Sequence, residues 1–159
     1  MFEIREYEPE RDGSALRDGF VELQDFERSL DPALPPGGSI ADAYLERMFD
    51  RCREFDGVVL VAELEGVVVG FVTIWARYRS SEPDDDPREH GFVSDLVVLA
   101  THRRRGIGRA LLRAAESRAR AAGAPLVRLS VKAGNAAARS LYASEGFEAS
   151  EIYLEKPLP

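Results

Sequence analysis

One cysteine in 159 residues, Cys52, can close no disulfide within the chain and leaves no CxxC pair for a metal or a redox dithiol. Histidine is almost as scarce. His90 and His102 form no ligand pair, and we expect no metal site. Long apolar runs are also missing, since the longest, residues 67–76, is too short to cross a bilayer as a helix. The opening MFEIREYEPE alternates polar with apolar residues and has no apolar core of the kind a signal peptide needs. Internal repeats, linkers and low-complexity tracts are absent. These absences lead us to expect one soluble domain over residues 1–159, in a reduced, cytoplasmic setting and without membrane contact.

What is present is charge, unevenly divided. The chain carries −7 overall, but residues 101–140 hold ten Lys and Arg against a single acid, Glu116. That segment is +9 and the remainder −16, so one region attracts anions and the other cations. Arg113, Arg118 and Arg120 read as the solvated face of a helix. Arg103, Arg104 and Arg105 do not, because they precede the helix instead of lying along it. Aromatic residues are not interleaved with the basic segment and the chain as a whole is acidic, which excludes a nucleic-acid partner.

Periodicity gives the elements. Phe2 and Ile4 alternate as a first strand. Asp12 is a candidate N-cap for a helix carrying Leu16, Phe20, Leu23 and Leu30. After the break DPALPPGG, SIAD at 39–42 has capping-box form, and Tyr44, Leu45, Met48 and Cys52 make a second helical stripe. VVLVAEL and VVVGFVTIW are β-branched strands joined at Glu65-Gly66, a two-residue hairpin turn. Another strand spans 91–99. A strong helix follows over 106–122, ended by Gly123 and Pro125. Then come a strand at 126–131, a short Asn-capped helix over 135–145 and a closing strand at 148–156. The order βααβββαβαβ, with strand–helix–strand units near its end, predicts a mixed sheet whose C-terminal strands run parallel.

The densest positive charge meets the most permissive backbone at THRRRGIGRALL, residues 101–112. A strand ends, a glycine turn follows, and a helix starts. The first amides of a helix lack intrahelical partners and carry the positive end of its dipole, so this is a phosphate site. No Gly-Lys-Ser/Thr follows and only GIG is present, so it is neither a Walker loop nor a dinucleotide fingerprint. Arg103-x-x-Gly106-x-Gly108, with Asn135-x-x-Ala138-x-x-Leu141-Tyr142 and Gly146-Phe147 downstream, resembles the GCN5-related N-acetyltransferase (GNAT) family, and the element order agrees over nearly the whole chain.

The resemblance implies an α/β fold in which two central parallel strands splay apart and acyl-CoA lies between them. It places the pyrophosphate on the backbone of Arg103, Arg104, Arg105, Gly106, Ile107, Gly108 and Arg109. It sets the pantetheine arm along Leu96 and Val98, with Asn135 and Ala138 beside it and Tyr142 near the thioester sulfur. Arg104 stands where the family often has glycine. Ser130 stands where amino-terminal protein acetyltransferases of the family tend to carry glutamate, which counts against that activity.

The resemblance thus implies an acetyl-CoA-dependent N-acetyltransferase with a small-molecule amine acceptor, forming a homodimer in many relatives. A non-catalytic acyl-CoA sensor is the alternative. Tyr142 is the candidate acid for the leaving thiolate. Asp95, an acid inside the apolar SDLVV, is the candidate base or acceptor contact. Glu89 and His90 are further candidates for the base, with His90 expected to be exposed, while Trp75 and Tyr78 could line the acceptor pocket. Glu22, Asp25, Glu27, Asp31, Glu82, Asp84, Asp85, Asp86 and Glu89 fall on the acceptor side and suggest a cationic acceptor.

Overall fold

The β-branched stretch from Val58 builds the centre of the molecule. In the computed structural model, which describes residues 1–159, strand β1 (Phe2–Glu6) is followed by helices α1 (Pro9–Leu30) and α2 (Gly37–Glu54). Strands β2 (Gly57–Leu64), β3 (Val67–Tyr78) and β4 (His90–Val98) come next, then helix α3 (Ile107–Ala121), strand β5 (Val127–Leu129) and helix α4 (Ala136–Ser144). A short 3-10 turn, Ala100–His102, links β4 to α3. The sheet runs β1-β2-β3-β4-β5, antiparallel except for the parallel pair β4–β5. The β2–β3 hairpin turns at Glu65 and Gly66, both with positive φ, as a tight primed turn requires. No helix is long and apolar enough to cross a membrane.

Each face of the sheet buries its own core. Ile107, Leu111, Leu112, Ala115 and Ala119 of α3 pack on Val72, Ile74 and Val93. On the opposite face Leu16 and Phe20 of α1, with Met48 and Cys52 of α2, pack on Val61, Phe71 and Val97. Strand β4 serves both faces because it carries a bulge: Thr73 pairs with Asp95 while Ile74 pairs with Val93, so Ser94 is the extra residue. Val93 therefore faces α3, whereas Asp95 and Val97 face α1 and α2.

Several sequence readings are corrected. Helix α1 starts at Pro9, and Asp12 is not its N-cap. Its side chain, 1 % exposed, takes two hydrogen bonds from Arg5, at 2.7 and 2.8 Å, and one from the Glu8 amide at 2.8 Å. The opportunity to bury a paired carboxylate outweighed the cap. Helix α2 starts at Gly37, whose amide is capped by Asp25 at 2.7 Å, not by the SIAD box. On α3, Arg118 of the solvated face pairs with Asp56 at 2.8 Å, and the buried stripe is Ile107, Leu111, Leu112, Ala115 and Ala119. Strand β5 shrinks to three residues, and the closing strand at 148–156 does not form. Ile152, Tyr153 and Leu154 are exposed, and the short edge of β5 offers little backbone for such a segment to pair with.

Arg5 also bonds Glu63 at 2.7 Å, tying β1, α1 and β2 together. The Arg5 hydrogen bonds hold the Asp12 carboxyl below the usual carboxylate range, against the opposing effect of burial. A depressed folded pKa stabilises above the unfolded value and is lost as pH falls through the folded one. Asp12→Asn is expected to cost about 2–3 kcal/mol at pH 7, because one partner of a buried pair is removed while Glu63 remains. Urea unfolding at pH 7 and pH 3 checks this, and the gap between variant and parent should narrow at the lower pH.

Candidate active site

Strands β4 and β5 pair only through Gly91–Val127, Phe92–Arg128 and Val93–Leu129. Past Val93 they separate, because the bulge at Ser94 turns β4 away. The edge of β4 from Ser94 to Val98 is thus left unpaired on that side. This is the splay that the resemblance implied, and Leu96 and Val98 lie along it.

The opening leads to the N-terminus of α3. The amides of residues 104–109 donate to no group in the chain, and the first amide of the helix with a partner is that of Ala110, which bonds the Gly106 carbonyl at 3.0 Å. Six consecutive N–H groups are thus free at the positive end of the helix dipole, an arrangement that suits an anion. Positive φ at Arg104 (65°) and Gly106 (80°) bends the chain into this shape. The left-handed backbone explains why glycine suits position 104. Arg104 and Arg105 are exposed and unpaired. Arg103 is turned away: its Nε donates to the Val98 carbonyl at 3.0 Å, and its guanidinium lies 5.6 Å over Phe26 and 3.5 Å from Glu22. Arg109 pairs with Glu145 at 2.6 Å, so the charge available to a ligand is that of Arg104 and Arg105.

Gly108 lies in the first turn of the helix, beside α4 and β4. A Cβ there would meet Leu141 at 3.4 Å and Val98 at 3.6 Å. Both are ordinary contact distances, so neither neighbour demands a glycine here. In α4, Asn135 caps the helix, its Oδ1 accepting from the Ala138 amide at 3.1 Å. Tyr142 packs against Phe147, ring centroids 5.9 Å apart, and against the α3 core. Its hydroxyl has no partner in the chain. Burial first, and then the Glu27 carboxylate, pushes the phenol up to about 12, so it is protonated at neutral pH.

Asp95 is only 4 % exposed. Tyr44 donates to its Oδ1 at 2.5 Å and Ser94 to its Oδ2 at 2.8 Å. Burial raises its pKa and these bonds oppose the rise. Tyr44 in turn stacks on Phe20, with ring centroids 4.1 Å apart. His90 is buried at 2 % exposure, with Nδ1 3.1 Å from the Arg88 carbonyl, contrary to the exposed loop histidine expected. His102 lies against Thr101.

Sequence reasoning gave Glu27 no individual role. It sits on the α1 stripe one turn beyond Leu23 and two beyond Phe20, on the side facing the sheet. It is half-buried, yet its carboxylate makes no hydrogen bond or ion pair. One turn further, Asp31 bonds Lys132 at 3.0 Å, which fixes the end of α1 against the segment after β5. Burial raises the Glu27 carboxyl, Lys132 draws it down, and Asp95 raises it further. Several other acids of that side are engaged: Glu22 with the Ala100 amide (2.7 Å), Asp86 with Arg88 (2.8 Å) and Arg128 (3.3 Å), and Glu89 with Arg77 (2.8 Å), whereas Glu82 and Asp84 have no side-chain partner. Part of the acidic field expected to gather a cationic acceptor is compensated locally, by Arg103 at Glu22, Lys132 at Asp31, Arg88 and Arg128 at Asp86, and Arg77 at Glu89.

The acetyltransferase (GNAT) family model matches residues 23–147. An N-alpha-acetyltransferase of Sulfurisphaera tokodaii is 31 % identical over 65 % of this chain and 64 % of its own length. An L-2,4-diaminobutyric acid acetyltransferase of Nocardia farcinica is 31 % identical over 67 % of this chain and 52 % of its own. A point mutant of the BH1408 protein of Bacillus halodurans superposes with a TM-score of 0.78 over 99 % of both chains at 24 % identity, a likeness of fold. With its splayed parallel strands, free helix amides and matched family model, the chain belongs to the GNAT family of acetyltransferases and is an acyltransferase.

Proposed function

We propose that the protein is an N-acetyltransferase that moves the acetyl group of acetyl-CoA to a primary amine of a small molecule, by direct attack in a ternary complex. The observation that carries this reading is the continuous path from the unpaired edge of β4 to the six free amides at the start of α3. An extended amide-bearing arm suits the first and a diphosphate suits the second. Arg104 and Arg105 supply charge to the phosphates, Leu96 and Val98 flank the arm, and Asn135, through its cap, holds the helix that presents Tyr142.

Acetyl-CoA, when bound, supplies a thioester carbonyl. An alkylamine is mostly protonated at neutral pH, with a pKa near ~10.4, and must lose a proton to attack. Glu27 takes that proton, since it is the half-buried carboxylate of the site with both oxygens unengaged. Asp95 has both oxygens occupied; it holds Tyr44 and adds negative charge that favours an ammonium nearby. Tyr142 gives its hydroxyl proton to the departing sulfur. Ser130, just past β5, is consistent with a small acceptor in place of a protein N-terminus.

Acetyl-CoA should raise the melting temperature, and duplex DNA should not. Arg104 and Arg105 replaced together by Ala should weaken acetyl-CoA binding roughly tenfold, about 1.4 kcal/mol, with the backbone amides retaining the rest. Calorimetric titration measures it. Unchanged affinity in the folded double variant argues against phosphates at this turn.

A further inference from the structure

The face of the sheet that carries Asp95 continues into a cleft of about 590 Å³ between the second half of α2 and the end of β3. Its floor is aromatic. Trp75 stacks on Phe92 at 5.2 Å and lies 5.6 Å from Tyr78, and Phe55 meets Tyr78 edge-on at 5.0 Å. The register makes it continuous with the reaction site: Thr73 pairs with Asp95, and Trp75, two residues on, pairs with Phe92. Helix α2 makes the same link. It sets Tyr44 on Asp95, Arg47 one turn later and Arg51 two turns later.

The walls are basic. Four arginines, at 47, 51, 77 and 79, face two glutamates, at 54 and 89, on a chain whose net charge is −7. Glu54 holds Arg51 at 2.9 Å and Glu89 holds Arg77 at 2.8 Å. Arg47 and Arg79 have no acidic partner. Arg51 also lies 5.6 Å over the Phe55 ring, the stacking that suits a guanidinium near a planar ligand. Trp75 also carries an indole N–H that is buried without an acceptor, which a native chain rarely leaves so. Solvated arginines on a helix face need no ligand. Two unpaired guanidiniums above one aromatic floor, next to a reaction site, are a different arrangement.

We infer that this cleft binds the far end of the acceptor, and that this end is an anion, a carboxylate or a phosphate, gripped by Arg47 and Arg79 with its adjoining carbon skeleton on Trp75 and Tyr78. The inference rests on the acetyl-transfer reading for the position of the amine. It replaces the expected cationic acceptor with an amine that also carries an anionic group.

Trp75 is the only tryptophan of the chain, so its fluorescence reports the cleft directly. Titration with phenylacetate or phenyl phosphate should give a saturable change that added salt weakens. Phenethylamine should give none. Arg47→Gln with Arg79→Gln should weaken the anion response at least tenfold, while circular dichroism confirms the fold. In the transfer assay, 4-(aminomethyl)benzoate should exceed its neutral methylamide at least tenfold in kcat/KM, and the double variant should compress that preference to about threefold or less. Phenethylamine binding as well as the anions, or a preference unchanged in the double variant, overturns the inference. Anion binding at Trp75 without acetylation of any amine would leave the subsite standing and remove the transfer reading. Acetylation with no anion preference and no response at Trp75 would do the reverse.

Discussion

Replacing Tyr142 by Phe should lower kcat by a hundredfold or more and leave acetyl-CoA affinity within a few-fold. The ring stays, so the contacts with Phe147 and with the α3 core stay too. Only the unpartnered hydroxyl is lost. Burial and the Glu27 charge keep that hydroxyl protonated up to about pH 12, which is what a donor to a leaving thiolate requires. A departing thiolate left without a proton leaves the transition state short of stabilisation by about 2.7 kcal/mol or more, the equivalent of a hundredfold. The effect should fall on kcat because the hydroxyl acts only as the carbon–sulfur bond breaks. Rapid-mixing measurement of CoA release against calorimetric titration of acetyl-CoA separates the two quantities. Equal kcat in variant and parent would return Tyr142 to a packing role.

Glu27→Gln should also cost kcat a hundredfold or more, and it should change the shape of the pH profile. The Glu27 carboxyl sits above its ordinary range chiefly because burial disfavours the charge, with Lys132 opposing. A base works in its deprotonated form, so the parent should lose activity as pH falls through that raised value. The variant has no such group, and that acid limb should vanish from its profile. Glu27→Asp should recover part of the rate and keep the limb, because the charge returns on a shorter stem. Folding stability should hardly move in either variant, since the carboxylate makes no hydrogen bond or ion pair. A Gln variant that keeps the parent's acid limb would move the base elsewhere, with Asp95 the next candidate.

The turn of free amides at the start of α3 was legible because its pattern is local. The arginine run, the glycines and the helix start are adjacent in sequence, and the six free amides follow from their order. The surroundings of Gly108 were not, since the side chains nearest to it, Leu141 and Val98, come from two other elements. Glu27 was one of many acids until the fold set α1 against the Lys132 segment. The aromatic and arginine cleft likewise joins α2 to β3, which periodicity alone cannot bring together. At the C-terminus the error ran the other way. Residues 148–156 have strand-like composition, but a strand also needs a neighbour, and three residues of β5 are a short one. Asp12 had the chemistry of a cap and was claimed by Arg5, a partner seven residues earlier.

The most direct test of the account is to mix the unmodified protein with acetyl-CoA and a panel of primary amines, and to follow CoA thiol release together with the mass of the amine. Thiol should appear in step with an amine heavier by one acetyl group, and without amine its release should be far slower. Acetyl-CoA that binds and raises the melting temperature while no amine in the panel gains an acetyl group would contradict the account, and would identify the protein as a binder of acyl-CoA that performs no transfer.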